Sequence, residues 1–152
     1  MNRSRFALIA VFLALFSAPT LAQTAVQISA DSFTIEEGAK EAVFTGNVVI
    51  KHPTVNVWAE KVVATYGDGG TSDIKSFEAT GKVKLETDEQ TATGDRAVFS
   101  PGDQLLRLTG NVQVSNAAGS VNAQELVVNL ATNVSTFSAS QGGRVTGTFT
   151  TQ

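Results

Sequence analysis

The 152-residue sequence predicts an all-β protein built from repeated antiparallel strand pairs. Apolar and polar residues alternate with period two after Gln23, which is typical of half-buried strands, and no helical period is found. The chain also repeats itself. Thr-Gly pairs occur at 45–46, 80–81 and 109–110, and each glycine is followed thirteen residues later by a small residue. Such units need their neighbours to bury their apolar faces, so we expect a stacked sheet.

The first 22 residues have the pattern of a cleavable signal peptide. Arg3 and Arg5 precede an apolar stretch, 6–16, and small residues around Pro19 lead to Ala22. We therefore expect residues 1–22 to be removed and residues 23–152 to form one exported domain. A retained membrane anchor is the alternative, although the apolar stretch is shorter than the ~20 residues that a spanning helix needs.

Charge and cysteine content exclude some classes of partner. Removing residues 1–22 takes two of the 11 basic residues and none of the 14 acidic ones, so the mature net charge is 9 − 14 = −5. A negative domain lacks the basic face that nucleic acid requires. The sequence has no cysteine, so no disulfide framework forms despite export.

The alternation changes parity once in every copy, at a polar pair. These pairs are Asp31-Ser32, Glu60-Lys61, Asp95-Arg96 and Gln124-Glu125. One extra residue at each pair explains the change, so we expect a bulge or strand corner there and a bend in the sheet. The glycine of each Thr-Gly pair falls at an inward position between apolar neighbours, which leaves room for a bend or a close approach.

Turn residues separate the predicted strands. Turns are expected around Gly38 and over 51–54, 100–103 and 116–119. Equivalent small residues are 29 apart from Ala30 to Ala59 but 35 apart from Ala59 to Gly94. The difference, 35 − 29 = 6, indicates six extra residues, which we assign to a flexible polar loop over 67–73.

The last segment begins a fourth, degenerate copy at Phe137 and would leave an open sheet edge. Residues 144–149 carry one charge and no proline to blunt that edge. Two interpretations stay open: a frayed tail, or an edge that docks another sheet by strand addition.

No arrangement typical of catalysis is found. His52, the only histidine, lies next to Pro53 in a predicted turn, without partners for a triad or a metal site. Gly81-Lys82 lacks the other residues of a phosphate-binding loop. The recurring polar pairs are interpreted as solvated corners. We therefore predict a protein that is not an enzyme and that has no metal or cofactor.

Several short motifs resemble one family. The segments 28–31, 44–48, 59–62 and 108–112 read ISAD, FTGNV, AEKV and LTGNV. Their order and spacing are similar to those of the OstA-like family of periplasmic lipopolysaccharide-transport proteins, which includes LptA. The resemblance implies a twisted antiparallel β-jellyroll that is open-ended, with an apolar groove for the acyl chains of lipid A.

The same resemblance implies partners and a role. It implies end-to-end assembly with like-folded jellyrolls of inner-membrane LptC and outer-membrane LptD, and it leaves end-to-end self-association open. Such an assembly bridges the periplasm for lipopolysaccharide. A retained anchor would instead favour the related LptC subunit. Because no nucleotide-binding motif is present, we expect lipid to move passively along the groove, with the direction of transport supplied by a partner.

Inward-facing apolar residues are the candidates for the groove lining, with ordinary core packing as the alternative for each. They are Ile28, Phe33, Ile35, Phe44, Val48, Ile50, Val57, Phe77, Val83, Leu85, Phe99, Leu108, Val112 and Val114.

Two other functions compete with lipid transport. A structural β-repeat adaptor would join envelope proteins through its sheet edges and have a filled interior. A glycan-binding or lyase jellyroll is disfavoured, because Trp58 and Tyr66 are the only residues of the kind that stack on sugars.

Overall fold

Ten β-strands make up nearly all of the regular structure. The computed structural model describes residues 26–151, so the predicted signal peptide lies outside the described residues. Within that range the only helical turn is a 3-10 turn, Gly70–Ser72. The strands are β1 (Gln27–Ser29), β2 (Ser32–Glu36), β3 (Glu41–Lys51), β4 (Asn56–Tyr66), β5 (Ile74–Glu86), β6 (Gln90–Ser100), β7 (Leu105–Asn116), β8 (Gly119–Asn129), β9 (Val134–Ser138) and β10 (Thr146–Phe149). The all-β prediction is confirmed.

All ten strands belong to one antiparallel sheet whose order follows the chain. Strands β3 to β8 are long, and each pairs with the next. At either end, two short strands share one neighbour. Strands β1 and β2 pair with different halves of β3, and β9 and β10 pair with different halves of β8.

Each long strand bends at a β-bulge near its middle. In the β3–β4 pair, Thr45 lies opposite Lys61 and Val48 opposite Ala59, so two residues, 46 and 47, face the single Glu60. The same two-against-one count recurs in the β5–β6 and β7–β8 pairs. The bends predicted at the polar pairs are therefore confirmed, but the extra residue belongs to the glycine-containing strand.

The line of bulges, here called the crease, divides the sheet into two layers. Layer 1 contains β1, β10 and, from each of the strands β3–β8, the half that lies on the same side of the crease as β1 and β10. Layer 2 contains β2, β9 and the other halves. Buried side chains of both halves form one cluster, so the layers face each other across a shared core.

The core is densest beside the crease. Five large side chains there are at most 1% exposed: Leu108, Val48, Val62, Val83 and Val112. Burying each contributes about 1.5–3 kcal/mol of hydrophobic free energy. Four of them occupy positions that alternation predicts to face inward, because in a strand every second side chain points to the same face.

The predicted turns and loop lie between strands. His52 and Val55 exchange backbone hydrogen bonds of 3.0 and 3.3 Å between β3 and β4. The polar loop over 67–73 connects β4 to β5 and contains the 3-10 turn. It is closed by a 2.9 Å hydrogen bond from the Gly67 amide to the Asp73 carbonyl, so it is an organised loop.

The prediction that the Thr-Gly glycines face the core was wrong. A Cβ atom built on Gly46 would meet the exposed side chain of Asp31, and one built on Gly110 would meet that of Asp95. The positive φ angles of these glycines, 85° and 80°, rotate them away from regular strand geometry. The group that approaches closely is therefore a carboxylate and not a core side chain.

Candidate functional site

The inner faces of the two layers carry apolar side chains whose burial decreases away from the crease, and the space between these faces is here called the cleft. Residues in the rows beside the crease, here called the crease rows, are mostly fully buried. Residues in the next rows out, here called the lip rows, are mostly half-buried. Exposure therefore rises from the bend towards the turns, as expected when two sheets diverge from a common fold line.

The lip rows follow directly from the strand register. In layer 1 the row contains Ile28, Ile50, Val57, Leu85, Ala92, Val114 and Val121. In layer 2 it contains Ile35, Ala42, Ala64, Phe77, Phe99, Leu106 and Val128. Each row crosses the strands at right angles, so together they form two continuous apolar walls.

The fourteen predicted lining residues fall into three groups. The most enclosed ones belong to the core: Val48, Val83, Leu108, Val112 and Val114. Others are half-buried on the walls: Ile28, Phe44, Ile50, Val57, Phe77, Leu85 and Phe99. Phe33 and Ile35 on β2 are 54% and 47% exposed. The structure thus places all fourteen on the inner faces, where only the second and third groups are accessible.

Aromatic side chains lie at two places on the inner face of layer 2. Phe33 stacks on Phe44, with ring centroids 4.6 Å apart. Phe77 and Phe99 lie side by side further along, with centroids 6.5 Å apart. Phe33 and Phe44 stand in the crease row, whereas Phe77 and Phe99 stand in the lip row, next to the small residues Ala42 and Ala64. The aromatic rings of layer 2 therefore lie at two different depths.

Several wall residues were missing from the predicted set. Leu106 and Val128 extend the layer 2 lip row, and Phe137 of β9 packs against the core cluster. Tyr66 at the end of β4 is 9% exposed. The parity of Leu106 and Val128, which matches that of Leu108 and Leu126 on the same strands, was the signal that could have identified these two.

The cleft contains no buried charge. None of the fully buried residues in the range 26–151 is polar or charged, and the same range contains no group of three or more residues able to hold a metal ion. Such a surface can take up apolar groups, for which the driving force is the removal of hydrocarbon from water.

Charged side chains cluster at the β2 end of the cleft. Ile35, Lys40, Tyr66 and Asp68 border an open depression of about 390 Å³. The Lys40 ammonium pairs with the Asp68 carboxylate. Further along the loop, the Lys75 ammonium lies 2.8 Å from Asp73, and this hydrogen bond lowers the pKa of the Asp73 carboxyl. A polar rim therefore borders the apolar wall at this end.

Both ends of the cleft are open sheet edges. Strand β2 at one end exposes Phe33 and Ile35, and β10 at the other exposes Phe149, which is 66% accessible. Within the described part of the chain, neither edge has a strand on its outer side. No helix among residues 26–151 has the length and apolar character needed to span a membrane.

Comparison with known proteins gives three findings. Residues 27–134 match the model of a family described as LptA/(LptD N-terminal domain) LPS transport protein. An uncharacterized protein of Rhizobium meliloti (strain 1021) is 32% identical over 91 residues, which is 56% of this chain and 49% of that relative. The chain thus spans about half the length of this curated relative.

The third finding concerns the fold. The crystal structure of LptH, the LptA homologous periplasmic component of the lipopolysaccharide transport device from Pseudomonas aeruginosa, superposes with a TM-score of 0.71. Identity is 13%, and the match covers 84% of this chain and 96% of that chain. The predicted jellyroll fold is therefore confirmed.

Proposed function

This chain belongs to the LptA/LptD N-terminal family of lipopolysaccharide-transport proteins, and we propose that its cleft is a groove that carries the acyl chains of lipopolysaccharide across the periplasm. The family is one of transport proteins and not of enzymes. The proposal includes export by the signal peptide over 1–22 and a mature domain over 23–152. The protein would bridge the two membranes by end-to-end contact with the jellyrolls of LptC and LptD.

The observation that carries the proposal is the gradient of burial between the crease rows and the lip rows. A closed core would bury both. Here half-buried Ile50, Leu85 and Phe99 line an opening that has no buried polar side chain. Each methylene removed from water contributes about 0.8 kcal/mol, so a chain of ~12 carbons would gain on the order of 10 kcal/mol.

The length of the groove suits passage and not only storage. Each layer contains eight strands side by side. Seven spacings of about 4.8 Å between them give a length of roughly 34 Å. A bilayer core of about 30 Å holds two opposed layers of acyl chains. One chain laid lengthwise would therefore span about half of the groove and could advance along it.

The open edges support the bridging part of the proposal. Strands β2 and β10 present unpaired backbone groups beside exposed apolar side chains. Such edges take an additional strand from another sheet readily. Joining edge to edge with a like-folded partner would continue both walls without a break. We assign the driving force to that partner, since the groove itself only binds.

Photo-crosslinking in cells tests the groove. A photoreactive amino acid at Phe44, Ile50 or Leu85 should capture lipopolysaccharide. The matched controls are the outward-facing neighbours of these positions, Val43, Val49 and Lys84, which should not. Adducts absent from all three inward positions, or equally abundant at the outward ones, would refute the lipid route.

A structural adaptor is the second candidate, favoured by the exposed edge strands alone. In that case the purified protein would contain no lipid, and Phe44→Asp would reduce stability without a separate effect on lipopolysaccharide. Mass spectrometry of lipid that co-purifies with the protein distinguishes the two. A retained penta- or hexa-acylated glycolipid supports transport, whereas a lipid-free protein that still bridges partners supports the adaptor.

A further inference from the structure

A carboxylate side chain stands over each bulge glycine of the crease. The pairs are Asp31 with Gly46, Glu60 with Gly81 and Asp95 with Gly110. A Cβ atom built on any of these glycines would lie 2.8–2.9 Å from the carboxyl carbon of its acid. Real Cβ atoms do not approach other carbon atoms so closely, because packed carbons are about 3.5–4.0 Å apart. Each acid therefore occupies the space that a side chain would need.

The residue after each glycine is also left-handed and is held by the same acid at two of the three bulges. Asn111 has a φ of 49°, a conformation that asparagine tolerates better than most residues. Its Nδ2 donates a 3.0 Å hydrogen bond to Oδ2 of Asp95. Asn47 donates likewise to Asp31 at 3.1 Å. The acid thus fixes both residues that make the bend.

The fourth crease position has no acid, although the segment opposite it, 139–145, contains a left-handed glycine, Gly142, with a φ of 78°. Gln124 stands where the acids stand in the earlier copies. The strand that follows is interrupted there: β9 ends at Ser138 and β10 begins at Thr146. Where an acid faces a bulge glycine, by contrast, the glycine strand passes from one layer to the other without a break.

The crease is also where the width of the groove is determined. In the range 26–151 every ladder of backbone hydrogen bonds joins sheet neighbours, so no ladder links the lip of one layer to the lip of the other. A half-strand of about five residues is roughly 16 Å long. A change of about 10° at the crease would move its lip by roughly 3 Å, which is close to the separation of two packed carbon atoms.

We propose that Asp31, Glu60 and Asp95 are positioning residues for the lipid groove. Each fills the space over the neighbouring bulge glycine, and Asp31 and Asp95 also hold the left-handed asparagine that follows it. Together they fix the angle between the layers and hence the width of the groove. The inference rests on the proposed function, because width affects binding only if acyl chains enter the groove.

Distance measurement tests the width directly. The chain has no cysteine, so spin labels can be attached at Asp88→Cys and Asp103→Cys. These exposed turn positions flank the two ends of β6, which crosses the crease at Asp95. We expect one narrow distance distribution for the labelled parent. Asp95→Ala should broaden it by about 3 Å, whereas Asp95→Asn should not, because its amide oxygen still accepts from Asn111.

A second variant alters the contact between Asp95 and Asn111 by changing Asn111. Asn111→Asp keeps a residue that tolerates the left-handed conformation but sets a like charge against Asp95. It should broaden the distances as Asp95→Ala does. Val98→Ala, an outward-facing change on the same strand away from the crease, is the control for lost stability and should leave the distribution unchanged.

Lipid binding is the second readout. Displacement of a fluorescent fatty acid by lipopolysaccharide should weaken about tenfold in Asp95→Ala and Asn111→Asp, as expected when one or two methylenes lose contact. Asp95→Asn and Val98→Ala should stay within about twofold of the parent. If Asp95→Ala fails to fold, Asn111→Asp and Asp95→Asn give the comparison.

The outcomes separate this inference from the proposed function. If the parent binds lipopolysaccharide and the crease variants keep both its affinity and its distances, the positioning role is wrong and the transport proposal stands. If the parent binds no lipopolysaccharide, the transport proposal is wrong, while the distances alone still decide whether the acids fix the angle. Broadening in Val98→Ala would also overturn the positioning role.

Discussion

Phe77 of β5 and Phe99 of β6 lie opposite each other in register, with ring centroids 6.5 Å apart and planes 17° from parallel. They stand in the lip row, where the side chains are half-buried. Leu108, two strands from Phe77 in the crease row, is 1% exposed. The groove wall and the protein core are therefore adjacent rows of one surface, and substitutions in them should have different effects.

Truncation in the two rows should separate stability from binding. Leu108→Ala should lower the free energy of unfolding by about 2–5 kcal/mol, because it leaves a cavity in a closed core. Phe99→Ala should cost less stability and weaken lipopolysaccharide binding more. Urea denaturation and lipid displacement measure the two effects, and equal ranking of the variants in both assays would contradict the distinction.

A charge in the wall should block the groove. Ala92→Asp places a carboxylate in the layer 1 lip row, where an acyl chain would have to desolvate it. The matched control, Thr93→Asp, adds the same group on the next residue, which faces outward. We expect lipid retention, measured by mass spectrometry of the purified protein, to be lost only in Ala92→Asp. Retention in both variants would place the lipid elsewhere.

The outer surface of layer 2 carries an ion pair with a predictable pH dependence. Nη2 of Arg96 lies 2.9 Å from Oε2 of Glu78, and this hydrogen bond lowers the pKa of the Glu78 carboxyl. Because the folded-state pKa is the lower one, the contribution is present above the unfolded-state pKa and is lost as pH falls through the folded-state value. A double-mutant cycle with Glu78→Gln and Arg96→Gln should give about 0.2–1 kcal/mol near neutral pH, since both groups are largely solvated. A coupling that persists unchanged in acid or at high salt would contradict this account.

Gly119 should be needed for the last strand to join the sheet. A Cβ atom at this position would collide with the backbone of β10, with the Thr148 carbonyl carbon 2.9 Å away. Gly119→Ala should therefore expose the amides of residues 146–149 to hydrogen exchange, together with the Thr150 amide that donates to Ala118. Gly102→Ala, in a turn with open space around it, is the control. Unchanged protection in Gly119→Ala would refute the collision.

Alternation along single strands was sufficient to predict the strands, the bends and much of the inner face. Val83 and Val112 alternate with polar residues, and the parity change at Glu60-Lys61 located the crease. Contacts between strands were not predictable in this way. Which strand supplies the extra bulge residue, and that Asp95 faces Gly110, depend on register between strands that are fifteen residues apart in sequence.

The accessibility of the predicted lining residues also required the structure. Val112 and Phe99 both occupy positions that alternation predicts to face inward, so the sequence pattern does not distinguish them. Only their distance from the crease decides that Val112 is enclosed and Phe99 is half-buried. Leu106 and Val128 have the inward parity of Leu108 and Leu126 in their own segments, but their place in the wall follows from the pairing of Phe99 with Leu106 and of Leu106 with Val128.

The strand order has a consequence for how the molecule folds. Within residues 26–151 no strand pairs with one more than two places away along the chain. Ladders between consecutive strands close over a turn or loop, and the β1–β3 and β8–β10 ladders each enclose one further strand. Low sequence separation favours fast folding, and stacked units can nucleate at any hairpin and add neighbours on either side. Lengthening or shortening the jellyroll by one hairpin would then change how far it reaches without altering the steps by which the rest is assembled.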